Sequence, residues 1–200
     1  MRITISHNFP DVARKIETLG QDIAGKAIAS ALNKTVAQAK TAMSSQIRKE
    51  FMISAADVGD SLKINRASAR GGRFNFEASL ESATRRGRSL NMIHFMERFV
   101  SLAQAKKRKK AETLSRLFVQ IKRGGGRKSL GKAFIGNKGR TVFVRTGKTR
   151  LPIKAMSTIG VPSMFNTKRV NSVVMQMIKT KFPEIFFHEA KFFTDRFNAK

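Results

Sequence analysis

The chain has 200 residues, 41% of them apolar, with no cysteine, Trp or Tyr and a formal net charge of +27. That apolar content can build a core, which excludes wholesale disorder; the lack of cysteine excludes disulfides, a thiol nucleophile and thiolate zinc sites. Forty Lys and Arg against thirteen acids would strain an isolated compact chain by self-repulsion, so a polyanion or an acidic protein is the expected partner.

The opening MRITISHNFPDV has no apolar h-region, so no signal peptide is read there. No apolar run reaches the ~18 residues of a membrane span, and assembly in the cytoplasm is expected. Residues 9–51 read as a helical N-terminal segment. Phe9, Val12, Ile16, Leu19, Ile23 and Ala27 recur at spacings of three and four, and Leu32, Val36, Ala39, Met43, Ile47 and Phe51 continue the stripe. Asn8 and Pro10 suit the cap and the first turn. Gly20, Gly25 and Asn33 are the expected break points. The small residues of AGKAIASALN suit close packing against a neighbouring element.

Ser54 and Asp57 form a capping box with Asp in place of Glu, starting a short helix that ends near Ser61. The period then changes to two. Leu62 and Ile64, then Phe74, Phe76 and Ala78, alternate with polar residues across a Gly-bearing loop, a hairpin signal. Residues 79–113 read as an inserted arm or loop. Apolar residues at 92, 95, 96, 99 and 102 have helical spacing, but the segment ends in the exposed block Lys106–Lys110.

Alternation returns at Leu117, Val119 and Ile121. RGGGRK is a turn, Leu130–Ile135 a strand, GNKG a tight turn, Arg140–Arg145 a strand, TGKT a turn and Arg150–Met156 a strand. Three basic turns in a meander place Lys122, Arg123, Arg127, Lys128, Arg145, Lys148 and Arg150 along one rim. With Lys138 and Arg140 these are the candidate contacts to DNA or to an acidic partner. From Thr113 to Pro183 there is no acid, against sixteen Lys and Arg. The C-terminal helices span 163–198. Val170, Val173, Val174, Met177 and Ile178 have helical spacing, and Pro183 opens or kinks a further helix. Phe182, Phe186, Phe193 and Phe197 lie on one side of it as candidate subunit contacts. The fold class is α+β: a helical N-terminal segment, a mainly antiparallel meander of about five or six strands, and C-terminal helices packed on the sheet, in one domain, 1–200.

No site for chemistry emerges. Gly147-Lys148-Thr149 ends like a phosphate-binding loop, but the first glycine of that motif would fall on Val142, and RLPIKAM after it reads as a strand rather than a helix. His7, His94 and His188 are dispersed, and His188-Glu189 is half of HExxH with Phe at 192. No acid stands at hydrolase spacing from a Ser or His. No catalytic residue, cofactor or metal is expected.

AFIGNKGRTVFVRTGKTRLPI, followed by VPSMF and KFPEIFFHEA and preceded by IASALNKT, resembles the minor tail protein Z family of tailed bacteriophages, tail-completion proteins of long-tailed phages. The best-matching stretch is Ala133–Phe165. The resemblance implies a structural virion protein at the head-proximal end of the tail, acting in head–tail joining and DNA passage. It implies a sixfold homo-oligomeric ring, with the tail terminator, tail tube and tape measure as neighbours and packaged DNA within reach. The alternative is a free-standing basic nucleic-acid-binding protein, whose affinity would fall steeply with salt.

Overall fold

The computed structural model describes residues 2–5, 21–70, 73–82, 89–96 and 117–199. The expected first turns of the N-terminal helix with their cap, His7, and the block Lys106–Lys110 lie outside the described residues. In chain order the elements are strand β1 (Arg2–Ile5), helices α1 (Gln21–Glu50) and α2 (Ala55–Ser61), strands β2 (Leu62–Asn65), β3 (Ser68–Arg70), β4 (Arg73–Asn75), β5 (Ala78–Ser82) and β6 (Ser89–Asn91), and a 3-10 turn (Met92–Phe95). Strands β7 (Phe118–Val119), β8 (Lys128–Ser129), β9 (Ala133–Gly136), β10 (Thr141–Arg145), β11 (Ile153–Ala155) and β12 (Ser157–Ile159) follow, then helices α3 (Val161–Phe165) and α4 (Lys168–Asn198). The fold is mixed α+β with antiparallel sheets. The described residues fall into two compact units, one within 1–46, 59–83 and 165–200, the other within 47–58 and 84–164.

The first unit is built on α1 and α4. Along α1, Ala27, Leu32, Val36, Ala39, Met43 and Ile47 of the predicted stripe are buried, joined by Ala24, Ile28 and Ala31, while Ile23 is half-buried. Its small residues let the helix backbone approach its neighbours closely. Thr35, fully buried, donates its hydroxyl to the Ala31 carbonyl at 2.8 Å, so its polar atom is satisfied within the helix. Gly25 and Asn33, expected as break points, lie inside continuous helix. Asn33 does not compete with its own backbone, because its amide grips Ala67 instead: Nδ2 donates to the Ala67 carbonyl and Oδ1 accepts its N–H, both at 2.9 Å.

Helix α4 is likewise one helix of 31 residues with Pro183 inside it, not two helices divided there. Pro183 removes the N–H that the Lys179 carbonyl would use, and Lys179 is exposed, where water can replace it. Burial of Val170, Val174, Ile178, Phe182, Phe186 and Ala190 holds both sides of the proline on one line. The sheet of this unit has the order β1-β5-β2, antiparallel throughout. Ile3 and Ile5 of β1, Leu62 of β2, and Ala78 and Leu80 of β5 are its core residues. The hairpin signal resolves into two tiers, with β3 paired to β4 and β2 paired to β5.

In the second unit Ser54 caps α2, its hydroxyl accepting the Asp57 N–H at 3.1 Å. The expected single sheet of five or six strands is divided. A three-stranded sheet has the order β11-β10-β9, and β12-β6 and β7-β8 form separate ribbons. One cause is Gly131, whose φ of +54° makes a turn where a strand was expected from Leu130, so β9 starts only at Ala133. Asn91 stitches β6 to β10: its Nδ2 donates to the Val142 carbonyl at 3.2 Å, and its Oδ1 accepts the Val142 N–H at 2.8 Å. The same oxygen accepts the Ile93 N–H at 3.1 Å, which begins a 3-10 turn within the segment read as an inserted arm or loop, where the helical spacing makes no α-helix at 92–96. Met96 then runs extended and bridges to Val119. Gly136 on β9 packs closely under Phe143: a Cβ there would stand 3.0 Å from the ring, which would have to shift by a few tenths of an ångström.

Candidate functional site

The basic turns belong to the second unit, and each is shaped by local hydrogen bonds. In RGGGRK, Gln120 closes the loop by donating Nε2 to the carbonyls of Arg123, at 2.9 Å, and Gly125, at 2.8 Å. Arg123 has a structural task as well. Its backbone N–H reaches the Glu50 carbonyl at 2.9 Å and its Nε the Arg48 carbonyl at 2.6 Å. Both are terminal carbonyls of α1, which lack helical donors and favour a cation.

In GNKG, Asn137 and Lys138 take φ of 51° and 53° and Gly139 takes 86°. This left-handed run reverses the chain sharply and leaves Lys138 exposed. In RTGKTR, the N–H and hydroxyl of Thr146 both donate to the Pro152 carbonyl, at 3.2 and 3.1 Å. The Thr149 hydroxyl donates to the Leu151 carbonyl. At the base of this loop Arg145 lies 4.7 Å from the centre of the Phe134 ring, which in turn neighbours Phe143. That contact orients the guanidinium.

The Gly-Lys-Thr sequence therefore sits in a loop between two antiparallel strands, 146–152. No helix follows to aim its amides at phosphates. Replacing Lys148 with Ala is expected to leave ATP and GTP titrations flat, as for the unaltered chain. Magnesium-dependent binding that the substitution removes would overturn this.

The nine cations read from the sequence, Lys122, Arg123, Arg127, Lys128, Lys138, Arg140, Arg145, Lys148 and Arg150, are all exposed. They do not share the edge of one sheet. RGGGRK joins β7 to β8 in their own ribbon, while GNKG and RTGKTR follow one another along the meander and so occupy its opposite ends. What they share is an environment poor in acids. The described residues of this unit hold Arg48, Lys49 and eleven further Lys and Arg in 117–164, thirteen in all, against Glu50 and Asp57. Asp57 itself faces His94 at 3.1 Å.

In the first unit, by contrast, Arg2 bridges to Glu77 and Glu81, Lys34 to Glu189 and Lys181 to Glu184. Glu189 is the buried one, 3% exposed. Its carboxylate accepts Ser30 Oγ at 2.6 Å, Lys34 Nζ at 2.5 Å and, when protonated there, His188 Nδ1 at 3.2 Å. Burial pushes its pKa up, but the donors from Lys34, Ser30 and His188 prevail and hold it below the ordinary glutamate value of 4.5.

Of the four Phe expected at a subunit contact, Phe182 and Phe186 are 0% exposed and belong to the core. Phe193 is half-buried and Phe197 is exposed. The apolar surface also includes Phe187, Phe192 and, in the basic unit, Leu151 at 65%. Alternation alone misses Leu151, although a Leu in a polar turn is its signal. Among the described residues no group of His, Asp and Glu could hold a metal ion, and no helix is long and apolar enough to cross a membrane.

The family described as prophage minor tail protein Z matches residues 11–195 of the chain. No curated protein and no solved structure matches it.

Proposed function

The chain belongs to the prophage minor tail protein Z family, a family of phage tail structural proteins, and on that premise we propose that it completes the head-proximal end of the tail for head–tail joining and DNA passage. The chain acts in this role as one tail-completion domain, in a sixfold ring of copies, against the tail terminator, the tail tube and the tape measure. It is assembled in the host cytoplasm and carries no catalytic step. Its exposed cations face the packaged DNA.

The observation that supports this reading is the separation of charge. In one unit Glu77, Glu81, Glu184 and Glu189 are paired with Lys or Arg, while the described residues of the other hold thirteen Lys and Arg against two acids. A ring would repeat that excess around its axis, where duplex phosphates offer the matching charge without any need to read sequence. A gold-labelled chain, incorporated into particles of a phage that lacks its own copy, tests the position. The label should appear at the junction of head and tail. Label along the tube or at the distal tip would overturn the placement. Label recovered on nucleic acid and absent from tails would favour the free-standing DNA-binding reading.

A further inference from the structure

The hairpin β10–β11 is unlike the other basic turns. Every residue from Arg145 to Ala155 is exposed, so the loop and the whole outgoing strand bury no side chain. Its shape is fixed from within by the Thr146 and Thr149 hydrogen bonds to the carbonyls of Pro152 and Leu151. Leu151 is 65% exposed, Ile153 41%, and Pro152 between them is also exposed. Arg145, Lys148 and Arg150 surround this apolar step, and no acid occurs in the loop. The ribbon carries Lys148 and Arg150 in its turn and a short apolar step, Leu151 and Pro152, where the turn enters the outgoing arm, so two chemistries lie side by side. The cations suit phosphates, and the apolar step suits the space between stacked bases. DNA-bending proteins combine the same two features, inserting apolar side chains between base steps while Arg and Lys hold the backbone.

We propose that the 145–155 hairpin is a duplex-DNA clamp, in which Leu151 and Pro152 enter a base step from the minor groove while Lys148 and Arg150 bind the flanking phosphates. The proposal rests on the reading that the basic surface faces DNA and adds how it is held there. Phosphate contacts alone let a protein slide along a duplex; an inserted wedge stops it at one place. Such a clamp would retain the leading DNA end rather than merely line its path. Because unstacking is easiest at pyrimidine–purine steps such as TA, the clamp should prefer those steps without base-edge contacts.

The test uses the full chain and a short linear duplex carrying 2-aminopurine beside a central TA step, with a dye pair on its ends. Binding should raise the 2-aminopurine fluorescence and shorten the end-to-end distance. Leu151→Ala should lose most of both signals and keep the salt dependence of affinity. Lys148→Ala with Arg150→Ala should instead lower the slope of log affinity against log salt by about two. An unaltered chain that binds without unstacking, or a Leu151→Ala variant that unstacks as well as the parent, overturns the clamp and leaves the basic-surface reading standing. A chain that does not bind duplex at all overturns both. If in addition Leu151→Ala blocks head–tail joining, the hairpin docks into an acidic, apolar protein groove.

Discussion

Replacing Lys128, Lys138, Arg140, Lys148 and Arg150 together with Glu is expected to abolish head–tail joining or DNA delivery while leaving the fold intact. All five side chains are exposed, and surface substitutions away from caps and networks cost little stability. Arg123 and Arg145 are left unaltered for a structural reason. Arg123 holds the last carbonyls of α1 and Arg145 stacks on Phe134, so replacing either would mix a loss of charge with a loss of structure. The five reversals remove ten units from a formal net charge of +27. In vitro, the slope of log affinity for duplex DNA against log salt should fall by about five, one for each phosphate contact removed. In complementation, the variant should give tails that accumulate without heads, or filled particles that fail to deliver. Infectious particles at normal yield would reduce the basic surface to a solvated face. Failure of joining with DNA affinity unchanged would assign the surface to an acidic ring of protein.

The sequence carried much of this in its periodicities. The buried stripe of α1 was legible because helical spacing is a local signal, and the cap at Ser54 because one hydroxyl and one N–H three residues apart suffice to make it. The turns were legible from glycine. The association of strands was not. Alternation says that a segment is extended, but which strands share a sheet depends on contacts distant in the chain, such as Asn91 with Val142. For that reason the expected single rim of cations is split between the β7–β8 ribbon and the two ends of the three-stranded sheet. Pro183 misled for a related reason, since its local rule was overridden by burial on both sides. Phe182 and Phe186 could not be told from Phe192 and Phe197 by composition, because a helix bearing so many rings has no unique apolar side. The two short stretches IASALNKT and KFPEIFFHEA, far apart in sequence, turn out to supply the partners of one contact: Ser30 and Lys34 from the first, Glu189 from the second.

That contact should carry a measurable share of the first unit's stability. Ser30 and Lys34 lie one helical turn apart on α1, and both point donors at a carboxylate of α4 that is 3% exposed. Replacing Glu189 with Gln keeps the volume but removes the charge: the amide oxygen can still accept from Lys34, while the N–H₂ meets Ser30 Oγ in place of the carboxylate oxygen that accepted its hydroxyl. Hydrogen bonds to a charged group contribute more than neutral ones, so the cost at neutral pH should be about 2 kcal/mol. The sign of its pH dependence follows from the direction of the shift. The folded-state pKa lies below 4.5, so the stabilisation is fully present above that value and is lost as pH falls through the lower folded value. The difference between the parent and Glu189→Gln should therefore be constant from neutral pH down to about 4.5 and shrink in stronger acid. Lys34→Met should move that loss to higher pH, because it removes one donor and leaves the carboxylate buried. With no Trp or Tyr in the chain, urea unfolding is best followed by far-ultraviolet circular dichroism, with amide exchange along α4 to place the loss in the first unit. A gap between parent and Glu189→Gln that stays the same in strong acid would mean that shape, not charge, is what Glu189 contributes.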